Sequence, residues 1–226
     1  MSRLHPRLDI LPPPQLALWP ELGATPDAFT LYGGTALALR LGHRTSIDFD
    51  FFAWESFDPS QLLQDVPYLR KARVLQQEAN TLTCLLDRDG PVQVSYFGMR
   101  RLEIIAPAAA IESPAIRIAS LIDLAGTKAA VVQKRAEAKD YLDIHALIRA
   151  GVSLPMALTA AGIVYGEQFN SQITLKALSY FDDGNLSDLP RRVQDELAAA
   201  ARDVDLDRLP QRSELLQAVD HSGERP

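Results

Sequence analysis

The chain predicts an α+β fold, with a small core built on a mixed sheet followed by a mainly helical C-terminal half. Three observations lead there. Residues 47–52, Ile-Asp-Phe-Asp-Phe-Phe, alternate apolar and acidic side chains, the period of a strand. Between residues 72 and 97, three stretches of strand-forming residues are separated by turn residues, as in an antiparallel meander. Beyond Ile116 the apolar positions recur every three to four residues, the period of helices.

In chain order, the first 25 residues carry Pro12-Pro13-Pro14 and read as an extended arm over the surface. Phe29–Tyr32 reads as a strand that ends in Gly33-Gly34, and residues 35–41 are rich in helix formers and stop at Gly42. The strand 47–52 follows, and Asp58-Pro59 opens a short helix through Leu63. The meander consists of residues 72–76, 81–86 and 92–97, the last two joined by Asp89-Gly90. Residues 102–105 are expected to add one more strand. An Ala/Pro-rich stretch, 106–114, separates this core, with its arm (residues 1–110), from a helical domain (residues 111–226) that completes a cleft. Helices are expected over 118–135, 139–149, 154–165, 175–181 and 193–204.

Composition excludes several classes. No apolar run approaches the roughly 20 residues that span a bilayer, and the N-terminus is too broken by proline for a signal peptide. The lone Cys84 permits neither an internal disulfide nor a cysteine-based zinc cluster, so a cytoplasmic address with no membrane partner is expected. The net charge is −6, but residues 1–150 carry 16 basic and 17 acidic side chains, whereas residues 151–226 carry 7 and 12. Any nucleic-acid partner must then be held by a local patch.

The chemistry concentrates between Leu31 and Phe52. A strand that turns at Gly33-Gly34 directly into a helix presents backbone N–H groups and the positive end of a helix dipole, which suits a phosphate. Asp48 and Asp50, two apart on a strand, point to one face, while Ile47, Phe49 and Phe51 are expected to point into a core. Two adjacent carboxylates repel unless a cation lies between them, and magnesium completes its shell with water and substrate phosphates. Later, Lys128 interrupts the apolar row Leu121, Ala125, Val132 on one helix face, where an unpaired ammonium is costly. Asp140 and Asp143 lie one turn apart beside Ile144 and Leu147, placed either to support a metal site or to orient Lys128.

Gly33-Gly34-Thr35 followed by Arg44-x-Ser46-x-Asp48-x-Asp50 resembles the first motif of the DNA polymerase β-type nucleotidyltransferase superfamily. More narrowly it resembles the AbiEii/AbiGii toxin branch, the toxin half of bacterial type IV toxin–antitoxin pairs. Leu121-x-x-Leu-Ala-Gly-Thr-Lys128, Arg135 and Lys139-Asp140-Tyr-Leu-Asp143 are similar to that branch's lysine helix and the acidic helix after it. The resemblance implies a nucleotidyltransferase-like core that moves a nucleotide from a nucleoside triphosphate to an RNA acceptor, plausibly tRNA, under restraint by a separate antitoxin. It assigns Gly33, Gly34, Thr35, Arg44, Ser46 and Lys128 to the nucleotide, Asp48 and Asp50 to magnesium, and Asp140 or Asp143 to completing the catalytic site. The superfamily also carries a third carboxylate on a later strand, but Gln93 and Ser95 occupy the inward positions of the 92–97 strand here. That gap leaves a competing expectation, a catalytically silent nucleotide-binding or interaction module on the same fold.

Overall fold

The computed structural model describes residues 3–99 and 103–216. In chain order the elements are α1 (Pro13–Leu18), β1 (Thr30–Tyr32), α2 (Gly33–Leu41), β2 (Asp48–Ala53), α3 (Pro59–Asp65), β3 (Arg73–Glu78), β4 (Thr81–Asp87), β5 (Pro91–Gly98), β6 (Ala109–Ile111), β7 (Ile116–Ile118), α4 (Leu121–Val131), α5 (Ala138–Arg149), α6 (Leu154–Tyr165), α7 (Ser171–Ala177) and α8 (Arg191–Arg202). The chain divides into two compact units, the first of residues 1–102 and 107–119, the second of residues 103–106 and 120–226. Among the described residues no single helix is long and apolar enough to cross a membrane.

Unit 1 is built on a seven-stranded mixed sheet in the order β3-β4-β5-β2-β1-β7-β6. The meander β3-β4-β5 is antiparallel as expected, while β2 pairs in parallel with β5 and β1 in parallel with β7. On one face Phe49 and Phe51 are fully buried with Leu82, Cys84, Val94 and Tyr96. The ring of Phe51 stacks on Tyr96 at 5.4 Å between centroids, and Trp19 packs against Phe49 at 6.4 Å. Burial pushes the Cys84 thiol up to about 11, as suits an inert thiol in the core.

Three expectations fail in the chain up to residue 114. Within the stretch expected as an extended arm, residues 3–25 are not one: α1 starts at Pro13, a 3-10 segment covers Trp19–Ala24, and Leu18, Trp19 and Leu22 are buried. Proline suits the first helical turn because the amide it lacks has no intrahelical acceptor there, so the proline run marks a helix start. Glu103–Ile105 form no strand, and Leu102 lies outside the described residues. The stretch 106–114 is not a plain linker, since β6 within it pairs with β7. Ile118 therefore ends a strand, and the helix expected from it begins three residues later at Leu121, capped by Ser120, whose hydroxyl accepts from the Asp123 amide.

Unit 2 is helical. Its core gathers Val132, Tyr141, Ile144, Leu154, Leu158, Leu178, Leu189, Val193 and Leu197. Every residue of α4 from Ile122 to Ala130 is buried. A Cβ on Gly126 would come within 3.1 Å of the Ala160 Cβ and the Ala161 nitrogen, so the missing side chain is what allows α4 and α6 to approach so closely.

Candidate functional site

The pleat of β2 places Asp48 and Asp50 on its partly exposed face and Phe49 and Phe51 on its buried one. Ile47 departs from expectation: it precedes the strand and is 55% exposed, so it does not join the core. Pairing sets the neighbours of the two carboxylates. Tyr32 stands opposite Asp50 on β1, while Gln93 pairs with Asp48 and Ser95 with Asp50 on β5. Ser95 is 2% exposed, and its hydroxyl accepts from Thr83 at 3.5 Å. The place beside Asp50 on β5 is thus held by an uncharged hydroxyl. No cluster of three His, Cys, Asp or Glu side chains suited to a metal ion occurs among the described residues.

The glycine pair is shaped to this strand. Gly33 has φ +71, a conformation that costs other residues about 1–2 kcal/mol. A Cβ there would fall 2.5 Å from Asp50 Oδ2, so glycine is what lets that carboxylate lie against the start of α2. A Cβ on Gly34 would overlap the Arg44 guanidinium and reach 3.2 Å from Ser46 Oγ. Arg44 and Ser46 therefore stand at the same first turn. The N-cap residue of α2, Tyr32, makes no capping bond with its side chain, and the first amides of the helix have no intrahelical acceptor and carry the positive end of the dipole. The Thr35 side chain is 1% exposed; its hydroxyl bonds the Asp48 carbonyl and lies 2.8 Å from Ser46 Oγ. That hydroxyl ties the helix to the strand, holding the two parts of the constellation in register. Together these residues set two carboxylates, a guanidinium and a helix N-terminus around one small region, an arrangement able to hold a hard cation together with phosphates.

The second group of singled-out residues lies in unit 2 and forms a buried charge cluster. Lys128 Nζ is 2.8 Å from Asp140 Oδ1 and 2.6 Å from Asp143 Oδ2, with side chains 7%, 0% and 0% exposed. Arg135 Nε donates to Asp140 Oδ2 at 2.7 Å. Burial alone would raise the Asp140 carboxyl, but hydrogen bonds from Arg135 and the Lys128 charge outweigh it and hold the group below the ordinary carboxylate range. Of the two roles the sequence left for Asp140 and Asp143, this geometry matches the orienting of Lys128. The ammonium meets its counter-charges inside its own unit without a triphosphate.

Sequence reasoning missed Asp123. Its carboxylate accepts from the amides of Ile105 at 2.8 Å and Ala106 at 3.1 Å and from the Ser120 hydroxyl, so it secures residues 103–106 to unit 2. The signal was present, since Ser120-x-x-Asp123 before an apolar run is a capping-box pattern.

The model of the family described as nucleotidyl transferase AbiEii toxin, type IV toxin–antitoxin system, matches residues 21–72 and 70–220. An uncharacterised protein of Aquifex aeolicus is 34% identical over 166 residues, covering 72% of this chain and 78% of that protein. Among solved structures, the nucleotidyltransferase toxin MenT4 from Mycobacterium tuberculosis shares the fold with a TM-score of 0.56 at 16% identity, covering 91% of this chain and 90% of that one.

Proposed function

The chain belongs to the nucleotidyltransferase AbiEii toxin family of type IV toxin–antitoxin systems, and we propose that it transfers a nucleotide from a magnesium-bound nucleoside triphosphate to an acceptor. The observation that carries this reading is the placement of Asp48 and Asp50 on one face of β2, with Asp50 packed against the Gly33 start of α2. Magnesium is held by one or two carboxylates plus substrate phosphates in sites of this kind, so two aspartates suffice as the protein's share of its ligands. When bound, the metal supplies charge neutralisation at the phosphates. The chain's own residues do the rest: the first-turn amides at Gly33 and Gly34 and the Arg44 guanidinium bind and orient the phosphates, and Thr35 and Ser46 fix the helix against the strand. Catalysis is then positioning and charge stabilisation, as phosphoryl-group chemistry requires. Lys128, Asp140 and Asp143 are assigned a positioning role in unit 2, on the strength of their mutual ion pairs.

The acceptor is proposed to be RNA, with tRNA as the first candidate and a separate antitoxin as the restraining partner, both inferred from family membership. A second reading, a nucleotide-binding module without turnover, is favoured by one observation, the uncharged Ser95 beside Asp50. Incubation with labelled nucleoside triphosphates and total RNA, with and without magnesium, separates the two. Magnesium-dependent label on RNA, lost in Asp48→Asn and Asp50→Asn, supports transfer. Nucleotide binding with no label on any RNA supports the silent module.

A further inference from the structure

Unit 2 contains a groove of about 460 Å³ lined by residues that follow α4, by Tyr141 of α5 and by α7 and the loop after it, with Val132, Tyr141 and Ala177 among them. Lys134 and Lys176 both line it, both exposed, and neither makes an ion pair among the described residues. Arg135 also lines the groove, but its charge is committed to Asp140 and Glu137. Beside Lys176 are Ile173 and Tyr180, 46% and 52% exposed. One carboxylate, Asp183, shares the lining. This concentration of cations contrasts with the acidity of the C-terminal region, where residues 151–226 carry 7 basic and 12 acidic side chains. An acidic chain that engages nucleic acid needs such a local patch.

We propose that this groove binds a single-stranded polynucleotide, with Lys134 and Lys176 on two backbone phosphates and the Tyr180 ring stacked on a base. Two cations lining one groove match a repeating anion better than a single one, and an exposed ring in the same lining offers a face to any unpaired base. Its assignment as the acceptor-binding surface rests on the transfer reading above; the binding itself does not.

The test is fluorescence anisotropy with a labelled single-stranded RNA of about 12 nucleotides, titrated across a series of salt concentrations. The parent should bind, and the Lys134→Gln/Lys176→Gln double variant should lose tenfold or more at low salt. Its log–log salt slope should be shallower by about 1.4, the value for two phosphate contacts on a single strand. Tyr180→Ala should weaken binding about tenfold while Tyr180→Phe keeps it, as stacking requires. Unchanged urea midpoints in these variants separate lost contacts from lost fold. The proposal is overturned if the parent does not bind, if the double variant binds with the parent's affinity and slope, or if a mononucleotide competes as well as the RNA. The two readings fail separately. Magnesium–nucleotide binding should survive the groove substitutions and fall in Asp50→Asn, whereas RNA binding should do the reverse. RNA binding that depends on the groove in a parent that transfers nothing would leave the groove standing and sink the transfer reading.

Discussion

Gly33 carries two constraints at once, a left-handed backbone at φ +71 and the Asp50 carboxylate only 2.5 Å from where a Cβ would stand. Gly33→Ala should therefore cost about 1–2 kcal/mol from the backbone alone, measured by urea unfolding. It should also weaken magnesium–nucleotide binding by displacing Asp50, and unchanged binding would detach the glycine from the site. Lys128 is decided by a different magnitude. Removing one partner from a buried ion pair costs about 3–5 kcal/mol, because the remaining charge is left without compensation. Lys128→Met should thus destabilise unit 2 by up to that order, since Arg135 still donates to Asp140. A stable variant that had lost nucleotide affinity would instead make Lys128 a phosphate ligand. The period-2 pattern was enough to place Asp48 and Asp50 on one face, since alternation is a local property of a strand. It misplaced Ile47 because pattern alone does not say where a strand begins, and Asp48 is the first residue of β2. Thr35 was legible as part of the motif, but its hydroxyl bonds span the sequence distance to Ser46 and Asp48 and are invisible before folding.

At the scale of elements, α5, α6 and α8 were largely readable because their apolar stripes are local: α6 spans Leu154–Tyr165, the range its periodicity indicates, whereas α7 lies at Ser171–Ala177, four residues before the range expected for it. The N-terminal segment was not, because a proline run suits both an extended arm and a helix start, and only packing of Leu18, Trp19 and Leu22 chooses between them. Strands β6 and β7, three residues each, are too short to show a period and exist through pairing with each other and with β1. The contact of α4 with α6 at Gly126 has a sign that can be measured. On an exposed helix, glycine to alanine gains about 1 kcal/mol. Here Gly126→Ala should instead destabilise by about 1–3 kcal/mol, as overpacking does, because Ala160 and Ala161 occupy the space. A stabilised variant in thermal unfolding would mean that the two helices can move apart at little cost. The carboxylates that brace α4 titrate in opposite directions. Asp140 is held below its ordinary value of about 3.9, so its contribution is present above that pH and is lost as pH falls through the lower folded value. Asp123 is raised by burial, so its contribution is present below the ordinary value and is lost as pH rises through the raised one. The stability gap between the parent and Asp140→Asn should therefore narrow as pH falls below about 4, and a gap that is constant with pH would contradict the assignment.

At the scale of the whole molecule, the two units do not follow a single cut in the chain: residues 103–106 belong with the helical unit and 107–119 with the sheet. A sequence boundary drawn through the Ala/Pro-rich stretch has no means of expressing such an exchange. What holds it is long-range, Asp123 gripping the amides of Ile105 and Ala106 and β7 pairing with β1. The α+β class was legible because strand and helix periods segregate along the chain, and the mixed sheet bears it out. The mismatch with the superfamily pattern was legible too, since Gln93 and Ser95 fall on the face of Asp48 and Asp50 as the alternation of β5 requires. That two carboxylates with substrate phosphates make a sufficient magnesium ligand set is a matter of binding energy, which no sequence pattern contains. The account therefore stands on the carboxylate pair of β2. Calorimetric titration of a nucleoside triphosphate into the parent, Asp48→Asn and Asp50→Asn, each with and without magnesium, tests it most directly. The account predicts affinity that rises with magnesium in the parent, and a magnesium dependence abolished in both variants at unchanged urea midpoints. Equal magnesium-dependent affinity in all three proteins would contradict it.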